Sequence, residues 1–261
     1  MTDDRLAPFV AHPESAGLFL DFDGTLSDIV LIPADARPLP NVPQLLNDLA
    51  SRFRVVSIVS GRAAAQLVDW LGPDIEIWGV HGAERAVEGV VQLSDWAAPH
   101  EDNVQEAAAA ATQELTRRKL AGALVENKRV IVNIHFRAAD DPIRAQKEIA
   151  EIADELASRF DLVTKRGRMS YELRPAVDFS KRAVIEMRAS EEELRAAAFF
   201  GDDRVDLPGF DALDELEAAG IATLRVAVSS PEAPAELLER ADVVVAGPAG
   251  AVDLLERLRR G

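Results

Sequence analysis

Two kinds of apolar spacing divide this chain. Short, mostly apolar runs at residues 17–22, 54–59 and 75–80 alternate with stretches at 41–51 and 62–71 whose apolar residues recur every three or four positions. The runs predict buried strands and the wider spacing predicts helices, so the pattern reads as a parallel sheet with crossover connections. The alternation resumes after residue 180. A helix near 180–188, the strand AAAFFGDD, a helix near 208–219, the strands TLRVAVS and DVVVAG, and a closing helix from 248 follow in turn. The middle has a different rhythm. A helix over about 101–119 precedes the strands ALVEN and VIVNIHFR; a second over about 141–158 precedes LVTK and MSYELR. A helix and two strands, twice over, predict a small open sheet with its helices on one face. The expected architecture is an α/β, Rossmann-like parallel-sheet core, residues 1–85 and 177–261, interrupted by an inserted α+β domain at 86–176. Ser190 and Glu193 have the spacing of a helix capping box.

Composition narrows the function classes. Of the 261 residues 48% are hydrophobic, enough for a substantial core, and none is cysteine. Disulfides, thiolate metal sites and cysteine nucleophiles are thereby excluded, and a reducing, cytoplasmic setting is expected. The stretch MTDDRLAPFV lacks a basic region followed by an apolar one, so no signal peptide is expected. The net charge of −16 argues against nucleic acid and anionic membrane as partners. Only −2 of it falls in residues 86–176. The acidic excess therefore belongs to the flanks, which supports a separate middle domain.

The candidate chemistry begins at GLFLDFDGTL. Leu18-Phe19-Leu20 stops at Asp21, and Asp23, Gly24 and Thr25 follow. Ligands of parallel sheets gather at the carboxyl ends of the strands. Residues two apart in extended chain point the same way, so Asp21 and Asp23 can address one ligand. Two such carboxylates repel unless a cation or proton lies between them. Gly24 permits a sharp turn and a close approach.

The DxDGTL string resembles the first signature of the haloacid-dehalogenase-like phosphatases. The remaining signatures follow in order: Ser60 in VVSIVSGR, Lys181 in FSKRAV, and Asp202, Asp203 and Asp206 in FFGDDRVD. The finer strings VSGR, WGVHGAE, VENK with HFR, ELRP and FFGDD resemble the trehalose-6-phosphate phosphatases, with the insert where that family has its cap. This chain departs from the family's GDD-x-T-D-E by Val205 and Leu207. It has Ser180 and Arg182 where the family has an acidic residue and a glycine around the lysine.

The resemblance implies a Mg²⁺-dependent phosphatase acting on trehalose 6-phosphate through an aspartyl-phosphate. Asp21 would be the nucleophile, and Asp23 the acid that protonates the departing sugar oxygen and the base that activates water. Lys181 and Ser60 would hold the phosphoryl oxygens, with Thr25 and Gly61 beside them. Asp21, the carbonyl of Asp23 and Asp202 would hold Mg²⁺, with Asp203 and Asp206 orienting the ligands. Sugar recognition is expected from Arg62 and His81 at the core edge and from Glu126, Lys128, His135, Arg137, Glu172 and Arg174 in the insert. A synthase that makes the sugar phosphate is implied as a metabolic partner only. The alternatives are another sugar phosphatase or phosphomutase of the superfamily, or a catalytically impaired sugar-phosphate-binding protein.

Overall fold

The structure, a computed structural model, describes every residue except Met1, Leu31, Asp178 and Phe179, and every side chain but theirs and those of Thr2 and Asp3. Two compact units emerge: Met1–Gln92 with Phe179–Gly261, and Leu93–Asp178. The first unit opens with α1 (Thr2–Ala11), β1 (Ala16–Leu20), α2 (Val42–Ala50), β2 (Val55–Val59), α3 (Ala64–Leu71), β3 (Glu76–Gly79), β4 (Glu84–Val87) and β5 (Val90–Leu93). The second unit contains α4 (Glu101–Arg117), β6 (Leu124–Asn127), β7 (Val132–His135), α5 (Pro142–Phe160), β8 (Val163–Arg166) and β9 (Ser170–Arg174). The first resumes with α6 (Lys181–Glu191), β10 (Ala196–Gly201), α7 (Leu207–Ala218), β11 (Ala222–Ser229), α8 (Ala235–Arg240), β12 (Val243–Ala246) and α9 (Gly247–Arg260).

The first unit is built on an eight-stranded sheet of order β12-β11-β10-β1-β2-β3-β4-β5. Pairing is parallel from β12 to β3 and antiparallel between β3 and β4. Alternate residues of β1 and β10 serve different layers, as a strand's period of two requires. Leu18, Leu20 and Phe200 join the cluster formed by α1, α2, α3 and α9. Phe199 instead meets Phe210 of α7 edge-on, at 6.2 Å between ring centroids. The chain leaves β1 toward β2 on one side and later returns with β10 on the other. β1 is thus the switch point of the sheet, where the connections diverge and leave a crevice at the strand ends.

Three features differ from the expectations. The hairpin strands β4 and β5 extend the core sheet, so the first unit runs to residue 92 rather than 85, and it resumes at 179 rather than 177. α1 was not foreseen, since Pro8 lies within it. Burial of Leu6 and Phe9 outweighs the backbone bond that proline forfeits. Ser190 and Glu193 do not start a helix. The buried face Val184, Ile185, Arg188 and Ala189 carries α6 through to Glu191. A capping box occurs instead at Asp203 and Asp206.

The second unit is a four-stranded sheet of order β6-β7-β9-β8, with all pairs antiparallel. Val132, Ile134 and Leu173 are buried with Val104, Ala107 and Ala111 of α4 and Ile149, Ile152 and Leu156 of α5. Among the described residues, no helix is long and apolar enough to cross a membrane.

Candidate active site

The carboxyl ends of β1, β2 and β10 deliver the central groups. Asp21 follows β1 directly, and its N–H donates to the Phe200 carbonyl at 2.9 Å, continuing the β1–β10 ladder. Asp202 follows β10, and Ser60 follows β2. All three are buried. Each apolar run is interrupted by a polar residue at the same edge because parallel strands bring their carboxyl ends together.

Asp21, Asp202 and Asp206 form a buried carboxylate cluster, each offering an oxygen within 4.8 Å of the others. Gly24 makes this approach possible. Its φ of +73° is left-handed, and a Cβ there would lie 2.0 Å from a carboxylate oxygen of Asp202. Asp206 is the most heavily bonded member. Its Oδ2 accepts the N–H groups of Asp202 and Asp203, at 2.8 and 3.0 Å, and its Oδ1 accepts Lys181 Nζ at 2.5 Å. Lys181, the first residue of α6 behind the Ser180 cap, also donates to Asp21 Oδ1 at 2.5 Å. Asp203 lies outside the cluster, exposed, with its side chain accepting the Arg204 N–H.

The electrostatics follow from burial and crowding. Burial first, and then Asp206, push the Asp21 carboxyl up to about 7, against the opposing pull of Lys181. Asp202 is pushed up to about 8, chiefly by burial and then by Asp21, Asp206 and Asp203. Burial opposes the charge of Lys181, but Asp206 and Asp21 outweigh it and raise that amine above its ordinary range. Hard, crowded carboxylate oxygens of this kind fit a hard divalent cation such as Mg²⁺, which would let the cluster ionise fully.

The expected residues around the cluster divide. Asp23 is half-exposed, and both its oxygens accept Arg62, at 2.7 Å each. Arg62, expected at the sugar, is therefore turned to the proposed acid–base residue. Thr25 is buried, and its Oγ1 has no hydrogen-bond partner. Gly61 packs against His81: a Cβ at Gly61 would lie 2.8 Å from that ring. Val80 and His81 both adopt positive φ, 48° and 59°, a conformation costly for a β-branched valine. Their N–H groups donate to the carbonyls of Arg62 and Ser60, at 2.8 and 2.9 Å. Glu84 of the HGAE string was not among the expected residues. It is buried and accepts the Ala64 N–H at 2.8 Å, fixing the first turn of α3 behind Arg62.

In the second unit, register assembles the insert candidates. Glu126 opposes Asn133, Asn133 opposes Glu172, and Glu172 opposes Lys165, so one row crosses all four strands. His135 lies one row away, paired with Leu124 and Ser170. This is the sheet face opposite the one packed on α4 and α5. Glu126 Oε2 meets His135 Nε2 at 3.2 Å and Lys128 Nζ at 3.7 Å; Arg174 Nη1 meets Glu172 Oε1 at 3.6 Å. Arg137 is exposed and lines a groove of about 620 Å³ with Glu126, His135, Arg168 and Ser170. Asn133 and Lys165 were not anticipated. The period of two back from His135 marks Asn133, whereas Lys165 joins only through the β8–β9 register.

The trehalose-phosphatase family model matches residues 19–243. A trehalose-phosphate phosphatase of Mycobacterium leprae is 32% identical over 85% of this chain, which spans 52% of that relative's length. The fold is shared with trehalose-6-phosphate phosphatase of Aspergillus fumigatus, at a TM-score of 0.73 and 24% identity over 98% of this chain and 97% of that one. It is also shared with a haloacid dehalogenase-like hydrolase from Bacteroides thetaiotaomicron, at a TM-score of 0.62 and 14% identity over 93% and 99% of the two chains. The fold of the core is accordingly haloacid-dehalogenase-like, and with signature residues standing at its strand ends and a family match over most of its length, the chain belongs to the trehalose-phosphatase family.

Proposed function

We propose that this chain hydrolyses trehalose 6-phosphate to trehalose and phosphate. The observation that carries the reading is the joint engagement of Asp21 and Asp206 by Lys181 beside Asp202. A carboxylate can attack a phosphate dianion only among counter-charges that offset their repulsion, and this cluster supplies one and can hold another. Asp21 Oδ attacks phosphorus while the ester oxygen departs, giving an aspartyl-phosphate. Asp23 donates a proton to the departing oxygen and later takes one from the attacking water. Lys181 and the Ser60 hydroxyl hold phosphoryl oxygens where negative charge builds. Thr25, with its unpartnered buried hydroxyl, and Gly61 line the phosphate's seat. Asp21, the Asp23 carbonyl and Asp202 would hold Mg²⁺, with Asp206 and Asp203 orienting them; the ion supplies the positive charge that offsets the phosphate. The Leu93–Asp178 unit would act as the cap that selects the sugar, through Glu126, Lys128, His135, Arg137, Glu172 and Arg174. His81 of the first unit would assist. A cytoplasmic enzyme supplied by a trehalose-phosphate-making synthase is the setting that fits this activity.

Phosphate release from a panel of sugar phosphates with Mg²⁺ tests the reading. Trehalose 6-phosphate is expected to be turned over fastest, and excess chelator to stop release. Preference for another sugar phosphate would overturn the substrate, and full activity in chelator would overturn the metal role. Stability in chelator provides a second check. Asp21 and Asp202 have folded-state values raised from 3.8 to about 7 and about 8. Protons therefore bind the folded state more tightly. The stability they add is complete below about 3.8 and lost as pH rises through about 8. Mg²⁺ should restore it, raising the melting temperature more at pH 8 than at pH 5.

The role of the second unit is tested with Glu172→Ala. Turnover of trehalose 6-phosphate is expected to fall by about 10²-fold, the scale of lost substrate positioning. Hydrolysis of p-nitrophenyl phosphate, which presents no sugar, is expected to change far less. Equal losses of kcat/KM on both substrates would remove Glu172 from sugar selection.

A further inference from the structure

We propose that Arg62 is a positioning residue for proton transfer: it holds Asp23 toward the ester oxygen and so determines how well the site expels poor leaving groups. The inference rests on the reading of Asp21 and Asp23 as nucleophile and acid–base. Arg62 presents Nε to Asp23 Oδ2 and Nη2 to Oδ1, both at 2.7 Å, the two-pronged geometry that fixes a carboxylate's plane. The arginine is the anchored partner. Its side chain is 10% exposed, against 43% for Asp23. Its Nη1 donates to the Pro33 carbonyl at 2.8 Å and to Gln66 Oε1 at 3.1 Å. Its guanidinium lies over Trp70 at 5.0 Å and Phe22 at 5.7 Å from the ring centroids.

The support continues into the backbone. The Arg62 N–H donates to Ser60 Oγ at 3.3 Å, and its carbonyl accepts the N–H of Val80 in the strained Val80-His81 turn. Glu84 holds Ala64 two residues on. A surface ion pair needs none of this and contributes little. A guanidinium fixed by two further polar contacts, two rings and a clamped turn is a rigid reference, against which the more exposed Asp23 takes its orientation. One Asp23 oxygen stays on the fork while the other addresses the ester oxygen. As the bond from Asp21 to phosphorus forms and the P–O ester bond breaks, the Asp23 proton passes to the departing alcohol. Asp23 then recovers a proton from the water that attacks phosphorus and frees Asp21.

Such a residue matters most when the leaving group needs the proton. A sugar alkoxide does, whereas p-nitrophenolate leaves without it. The test measures kcat/KM for aryl phosphates of graded leaving-group acidity and for an alkyl phosphate, in wild type, Arg62→Gln and Arg62→Lys, alone and combined with Asp23→Asn. Arg62→Gln is expected to lower alkyl phosphate turnover about 10- to 100-fold, within the range of general-acid effects. Its loss on p-nitrophenyl phosphate should be much smaller, so the dependence on leaving group steepens. Arg62→Lys retains charge but lacks the fork, and should fall between. With Asp23 already asparagine, Arg62→Gln should add no further steepening. Uniform loss across the series, or the same steepening without the Asp23 carboxylate, would overturn the inference, and Arg62→Lys distinguishes these outcomes even where Arg62→Gln misfolds. The series contains no sugar, so a different sugar preference leaves the result standing. A wild-type protein inactive on every ester overturns the phosphatase reading and the inference together.

Discussion

Asp21→Asn is expected to abolish phosphate release, with kcat reduced by about 10⁴-fold or more, the scale on which nucleophile removal is felt. The carboxamide has nearly the shape of the carboxylate but is a poor nucleophile. Its oxygen can still accept Lys181, so the contact that ties α6 to the end of β1 survives. The substitution also removes one negative charge from beside Asp202, whose raised value reflects Asp21 directly after burial itself. The variant should therefore fold and melt no lower than wild type. Phosphate release and thermal unfolding, measured together, check both halves. Near-normal turnover would remove Asp21 as nucleophile; a large drop in melting temperature would mean that its charge holds the fold together.

Lys181→Met is expected to damage both activity and stability. Lys181 is 2% exposed and is the cation bonded to both Asp21 and Asp206. Methionine keeps most of the stem's volume but leaves two buried carboxylates without their shared partner. Removing one member of a buried pair typically costs about 3–5 kcal/mol, far more than losing an exposed one. The loss should appear in urea unfolding in chelator, and should shrink on acidification because protonation relieves the stranded carboxylates. If Lys181 also neutralises phosphoryl oxygens, kcat should drop about 10²–10³-fold even with Mg²⁺ present. A stable variant with unchanged kcat would show that Lys181 serves neither the cluster nor the reaction.

Both experiments act on residues that the sequence nominates before the fold is known. Asp21 ends Leu18-Phe19-Leu20, Asp202 follows Phe199-Phe200-Gly201, and Ser60 follows Ile58-Val59. A polar residue that halts a doubly buried strand has few places to go except the sheet's carboxyl edge. In a parallel sheet those edges coincide, so Ser60 and Asp202, which the resemblance names, stand at the same edge as Asp21 although they are far apart in sequence. Gly24 was legible for a related reason: its place directly after the carboxylate pair called for a residue without a Cβ, and Asp202 occupies that space. The insert was legible because its helix-strand-strand rhythm and near-neutral charge differ from the flanks.

The rest depended on contacts that no local pattern contains. β1 lies between β10 and β2 because of long-range pairing, and that order makes one crevice out of three strand ends. Arg62 takes its partners Asp23, Trp70 and Pro33 from positions up to 39 residues away, a choice no local pattern contains. The resemblance names Asp206 beside Asp203 as a group orienting the ligands; only a short 3₁₀ turn sets it apart, beneath two backbone N–H groups and Lys181. Lys165 enters the row of Glu126, Asn133 and Glu172 only through the β8–β9 register, since a shift of one residue would turn it to the other face. Periodicity and composition thus determined the elements and the residues that end them, because burial is imposed locally along each strand and helix. Strand order, register and the choice of ion-pair partner were decided by the tertiary structure, because their energies belong to pairs of residues that only folding brings together.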